Sequence, residues 1–233
     1  DQAGDDVDTM EWRVTARTGQ AHTNLFQEER ERPVFLVVEQ SQRLLLGSDH
    51  ALKPVTLARV ASLLGWAALQ HNDQIGGLVF GDHARHEIRP RRSDRSLLQL
   101  LEQLQQANEA LLQRYISPEP DSLAVALRRA RQTLKPGSML LLCCDERSLN
   151  TAAEQQLQFL ARHIALVLLP ISDRLDHALP RAGLLTFFQD GNFFRLATLP
   201  RGVRTRYEGE ARQRRSNLPD LATRPGALPL PLN

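Results

Sequence analysis

The sequence predicts an α/β fold with three layers: a mostly parallel central sheet with helices packed on both of its faces. Three observations carry this prediction. Short, continuously apolar runs rich in Val and Leu recur along the chain, the form of strands covered on both sides. Segments with helical apolar spacing alternate with those runs. Between them stand Pro, Gly, Asp and Ser, the residues that end one element and start the next, so right-handed crossovers are expected.

Pro33–Glu39 (PVFLVVE) reads as the first buried strand. Pro54 then opens a helix whose apolar positions Leu57, Val60, Ala61, Leu64 and Ala68 fall on one face. Residues 75–80 form the next strand, and 84–88 an edge hairpin strand after the Gly81–Asp82 turn. Ser93 caps a helix running through Leu97, Leu101 and Leu104 toward Leu112. Another helix starts near Asp121 or Ser122 and stops before Pro136 and Gly137. Residues 139–144 are a third buried strand, 151–162 a helix and 164–169 a fourth strand. Leu184–Gln189 and residues 193–197 flank Asp190, Gly191 and Asn192, a hairpin signal. A polar helix is expected over 203–215, and 228–232 as a last strand that its prolines confine to a sheet edge.

The chain has 233 residues, 42% hydrophobic and 24% charged, enough to bury a sizeable core and too apolar for disorder. Its net charge of +2 gives no general case for a nucleic-acid partner, and none is expected. Only Lys53 and Lys135 are lysines; all other basic residues are arginines. Arg85, Arg89, Arg91, Arg92 and Arg95 form one basic patch and Arg201 to Arg215 a second, suited to phosphate or to an acidic protein surface but lacking aromatic platforms. The two cysteines, Cys143 and Cys144, are adjacent within an apolar run and read as packed, reduced thiols. No run is long enough to span a bilayer, and no secretory signal is visible. The chain starts at Asp1 rather than Met and reads as a fragment, with an upstream membrane anchor left open and a cytoplasmic location expected.

In an open sheet of this kind, ligands bind at the carboxyl ends of strands. Glu39 and Ser41 follow the first strand, Asp121 and Ser122 open a helix, and Asp145 follows the third buried strand. Oxygen ligands converging from loops suit a hard cation such as Mg. The same residues also fit plain helix caps and a turn start. Ser41 lacks the Gly-x-Ser-x-Gly setting of a nucleophile elbow, no GxxxxGK[ST] loop is present, and His83 with His86 completes no zinc pattern.

An ordered series of motifs points further. Gly4, Asp5 and Asp6 are followed by Glu11 and Trp12, then by Thr15, Ala16, Arg17 and Gly19, then by Glu29 and Arg30, and then by Glu39 and Ser41 at the end of the first strand. This series resembles the signature of the bacterial domain of unknown function 58 family. Asp121 and Leu123 with Ala126 and Leu127 resemble that family's helix start, and Leu142 to Asp145 its strand ending in Ser-Asp. The resemblance implies a von Willebrand factor A-like, Rossmann-like domain over 33–233, with the signature segment 1–32 packing on it through residues such as Trp12, Arg17 and Glu29. It also implies a metal-ion-dependent adhesion site holding Mg or Mn through Glu39, Ser41, Asp121 and Asp145, and work with a MoxR-like AAA+ ATPase. The full-length protein would then sit at the cytoplasmic face of the inner membrane.

This sequence departs from the family pattern inside the metal motif. Glu39 replaces an Asp, Arg43 stands where a second Ser or a Met is usual, Asp121 replaces a Thr, and Cys144 replaces the Ser before Asp145. Asp8 stands where an Arg usually follows Asp6. A guanidinium at Arg43 would neutralise the carboxylates and take the cation's electrostatic role. The leading expectation is therefore a non-enzymatic protein-interaction module with a degenerate adhesion site, binding through Glu39, Ser41, Arg43, Asp121, Ser122 and Asp145. Two alternatives stay open: a binding domain with a working Mg site, and a hydrolase using Glu39 and Asp145 as an acid/base pair.

Overall fold

The computed structural model describes residues 32–45, 52–82, 84–113, 115–180, 183–189, 192–222 and 227–229. The signature residues Asp5, Asp6, Glu11, Trp12, Arg17, Glu29 and Arg30, and the packing expected of their segment, lie outside them. Among the described residues six strands form one sheet in the order β3-β2-β1-β4-β5-β8. They are β1 (Pro33–Glu39), β2 (Gln74–Phe80), β3 (Arg85–Arg91), β4 (Met139–Asp145), β5 (Ala165–Ile171) and β8 (Ala227–Pro229). All neighbours run parallel except β3, which pairs antiparallel with β2. The hairpin β6 (Leu184–Gln189) and β7 (Asn192–Ala197) forms a separate two-stranded sheet with Gln189 opposite Asn192.

The alternation of side chains along the buried strands sorts the core into two layers. Phe35, Val37, Leu140, Leu142 and Cys144 point to one face, where α3 (Ser122–Thr133) and α4 (Thr151–Leu160) cover them. Val34, Leu36, Val38, Leu141 and Cys143 point to the other, under α1 (Lys53–Gln70) and α2 (Asp94–Gln113). Both faces being dry explains why β1 and β4 read as unbroken apolar runs rather than alternating ones. Two glycines in β2 serve close approach: a Cβ on Gly76 would lie 2.6 Å from the Ile88 carbonyl oxygen, and one on Gly77 2.5 Å from that of Leu36.

Most boundaries follow local chemistry. Pro54 falls in the first turn of α1, where its missing N–H costs nothing. Ser93 accepts the Arg95 N–H at the start of α2, as expected of a cap, and Asn150 accepts the Ala153 N–H at the start of α4. Several boundaries differ from the sequence reading: α4 stops at Leu160 rather than 162, and β8 starts at Ala227, the expected residues 230–232 lying outside the described ones. The edge strand β3 continues past residue 88 to Arg91, and α6 (Arg201–Ala222) is longer at both ends than 203–215. β5 runs on to Ile171 because Cys144 and Asp145 pair with Pro170 and Ile171. Pro170 lies beyond the three residues that β8 covers, at a partly open strand end where a missing donor is tolerated. A short helix, α5 (Arg174–His177), follows β5 without a clear sequence signal.

Candidate functional site at the switch point of the sheet

The chain runs from β1 to β2 on one side, whereas β4 joins β1 on the other, so strand order reverses between β1 and β4. Their carboxyl ends lie side by side, with Val38 opposite Cys143. Glu39 and Asp145 are the next polar side chains, and both are fully buried. This is where an open α/β sheet places a ligand site.

Glu39 receives hydrogen bonds on both oxygens. Ser41 Oγ and Ser148 Oγ donate to Oε1 at 2.5 and 2.8 Å, and the Asp145 N–H donates to Oε2 at 2.9 Å. Burial, followed by the Asp145 charge, raises its carboxyl above the ordinary value, against the pull of those three hydrogen bonds. Asp145 is held the other way. Burial would raise it, but the hydrogen bonds and charge of Arg147, with the charge of Lys53, bring it below the usual value. Arg147 grips it through Nε to Oδ1 at 2.8 Å and Nη2 to Oδ2 at 3.0 Å, a two-pronged contact made by a residue only two positions on. Burial opposes the charge on Arg147, yet the hydrogen bond and charge of Asp145, then the charge of Asp176, raise its pKa further.

Lys53 completes the cluster. It is buried at the first turn of α1, and its ammonium donates to Asp145 Oδ2 at 3.1 Å and Asp176 Oδ2 at 2.5 Å. A positive charge at a helix N-terminus opposes the macrodipole, so the two carboxylates are what hold it there. Asp176 is set by α5: its Oδ2 also accepts the Asp173 N–H at 2.7 Å, and its Oδ1 lies 3.5 Å from Arg147 Nε. Asp145 and Asp176 thus face Lys53 and Arg147, two negative groups against two positive ones, and burial pushes Glu39 toward its neutral form.

The six residues singled out from sequence do not all meet here. Glu39, Ser41 and Asp145 do. Arg43 does not face the carboxylates, which corrects its expected role: it lies in a short 3-10 turn, and its guanidinium donates to the Glu119 carbonyl at 3.1 Å and to Ser148 Oγ at 3.4 Å. Its own carbonyl accepts from Arg147 Nη2 at 2.6 Å. Asp121 is an exposed N-cap whose Oδ1 accepts from Asn150 Nδ2 at 3.0 Å, tying α3 to the start of α4 rather than to the acid pair. Ser122 is buried as the first residue of α3.

Sequence reasoning missed Lys53, Arg147, Ser148 and Asp176. One signal for Lys53 was available: a rare lysine placed just before the Pro of a helix start, against the dipole, requires an acid nearby.

A divalent cation does not fit this donor set as it stands. Every oxygen of Glu39 and Asp145 already accepts a hydrogen bond, and two organic cations occupy the Asp145 side. Among the described residues no group of three His, Cys, Asp or Glu is arranged to hold a metal.

The mostly parallel sheet, covered by helices on both faces, has a von Willebrand factor A-like, Rossmann-like fold. The chain belongs to the family described as "Protein of unknown function DUF58", whose model matches residues 1–217. Among solved structures it is similar to the hypothetical protein BatB from Bacteroides thetaiotaomicron, with a TM-score of 0.55 and 14% identity over 87% of this chain and 90% of that one. It also matches an aerotolerance-related membrane protein from Bacteroides fragilis, with a TM-score of 0.48 and 15% identity over 87% and 92%. A von Willebrand factor type A protein from Catenulispora acidiphila matches with a TM-score of 0.37 and 12% identity over 65% and 34%. No curated protein matches. No described helix is long and apolar enough to cross a membrane.

Proposed function

We propose that this domain is a non-catalytic protein-interaction module in which an internal salt-bridge cluster stands where an adhesion-type site would hold a metal. The observation that carries this reading is Lys53 and Arg147 seated on Asp145 and Asp176 at the switch point. The two organic cations supply the charge that Mg would supply, and they keep the loops after β1, β4 and β5 in one arrangement. Burial of both Glu39 and Asp145 also leaves neither acid open to a substrate, which argues against acid/base hydrolysis. The partner in this reading is a MoxR-like AAA+ ATPase, the role family membership implies, met at the cytoplasmic face of the inner membrane.

Calorimetric titration of the purified chain with Mg and Mn, beside pull-down by the MoxR-like ATPase of the same genome, tests this. The expected result is no heat of metal binding from the native chain or from Arg43→Ser, with capture of the ATPase unchanged by a chelator. Metal binding by the native chain that Asp145→Ala abolishes would replace this reading with a working cation site.

A further inference from the structure

A second site, sharing no residue with the switch-point cluster, lies between the edge strand β3 and helix α3. A cleft of about 600 Å³ opens there, lined by Glu87, Arg89, Arg128, Arg129, Gln132 and Thr133 among others. Its one carboxylate is already engaged. Glu87 accepts from Arg129 Nε at 2.7 Å and from Thr133 Oγ1. Arg89 and Arg128 are exposed, and neither has a hydrogen bond or ion pair among the described residues. Of the same basic patch, Arg85 pairs with Glu119 at 2.7 Å and Arg92 donates to Asn72 at 2.7 Å, while Arg91 and Arg95 are exposed but do not line the cleft.

The sheet adds a second element. β3 ends the sheet, and among the described residues no strand pairs with its outer side, so the backbone groups that this edge turns outward from Arg85 to Arg89 are open to an added strand, up to the register shift beside Pro90, which has no N–H to give. Glu87 and Arg89 lie on the α3 face of β3, whereas Ile88 packs against the opposite core layer. A guest strand about 4.8 Å further out would repeat that alternation, so every second side chain would stand over the arginines.

We propose that this cleft docks an extended acidic segment of a partner protein, added as a strand beside β3, with carboxylates at alternate positions paired to Arg89 and Arg128. Two guanidiniums beside one groove favour carboxylates through charge-assisted, two-pronged hydrogen bonds. The open edge supplies the backbone contacts that select an extended chain over a free anion. This proposal does not depend on the reading of the switch-point cluster.

The test is fluorescence polarisation with the full chain and a labelled short peptide of alternating glutamate and valine. Saturable binding is expected that weakens with salt and is absent when lysine replaces glutamate. Arg89→Glu and Arg128→Glu should each weaken it about tenfold, roughly 1.4 kcal/mol, with an unchanged melting temperature because both side chains are exposed. Methylating the peptide's backbone nitrogens at alternate positions, in each of the two registers, should abolish binding in one register. No binding, or binding untouched by the double variant, would overturn the proposal. So would equal binding of both methylated peptides with full competition by inorganic phosphate, which would mark a simple anion site. A dimer of the chain that dissociates on Arg89→Glu would assign the cleft to a second copy and overturn it as well.

Discussion

Replacing Lys53 with Met keeps the aliphatic stem and removes only the charge. The ammonium is 5% exposed and lies 3.1 Å from Asp145 and 2.5 Å from Asp176, both buried. At an effective dielectric constant of about 20, the gross attraction at 3.1 Å is roughly 5 kcal/mol, and the shorter contact is somewhat stronger. Desolvation of all three groups offsets much of this in the native protein. In the variant it offsets nothing, because two buried carboxylates are left to share Arg147, which already spends both prongs on Asp145. Breaking a buried pair from one side costs about 3–5 kcal/mol. For a domain of this size, that lowers the melting temperature by roughly 10 °C. Urea unfolding followed by circular dichroism measures it. The companion variant Asp176→Asn keeps an oxygen for the Asp173 N–H, and combining it with Lys53→Met should cost clearly less than the two separate losses added together. A Lys53→Met loss under about 1 kcal/mol, or strict additivity in the cycle, would refute the view that Lys53 fills a cation's place.

Two further outcomes follow from the same geometry. Glu39 has its folded-state pKa raised above the ordinary 4.5, so its contribution to stability is fully present below that pH and is lost as pH rises through the raised value. Glu39→Gln removes this loss, since the amide oxygen can accept the Asp145 N–H and the NH2 can donate to the serine hydroxyls. Its stability relative to the parent should therefore improve from pH 4.5 up through the raised value and level off above it in urea titrations; a pH-independent difference would show that Glu39 titrates normally. Cys143 and Cys144 are buried, and burial pushes the Cys143 thiol up to about 12 and Cys144 well above its usual value, with Glu39 and Asp145 adding to the latter. Iodoacetamide at neutral pH should label neither in the native protein and both in urea, as read by intact mass; rapid native labelling would mean that β4 opens.

The candidate site was legible only at the strand ends and just past them, at Ser41. Glu39 and Asp145 close apolar runs, and an acid at the end of a buried strand stands out because nothing else in the run is polar. Asp121 looked equivalent in sequence, but a cap on the outer rim of α3 meets Asn150 and solvent rather than the acid pair. Arg43 was expected to face the carboxylates because it stands where the resembled motif has a second Ser or a Met. The 3-10 turn it sits in carries its side chain toward the Glu119 carbonyl instead.

The sequence by itself determined the buried strands and the longer helices, because a strand dry on both faces must be apolar throughout and a helix on a sheet must carry one apolar stripe. Pro54, Ser93 and Gly137 marked the ends of elements through backbone chemistry that acts within a few residues. Which residues neutralise the buried acids was decided by tertiary structure alone. Lys53 reaches Asp145 across 92 positions and Asp176 across 123, and only the placement of α1 and α5 over the ends of β4 and β5 brings them together. Buried charge is balanced by whatever group the packing brings within about 3 Å. No local pattern records that distance, so the pairing belongs to the fold rather than to any segment of it.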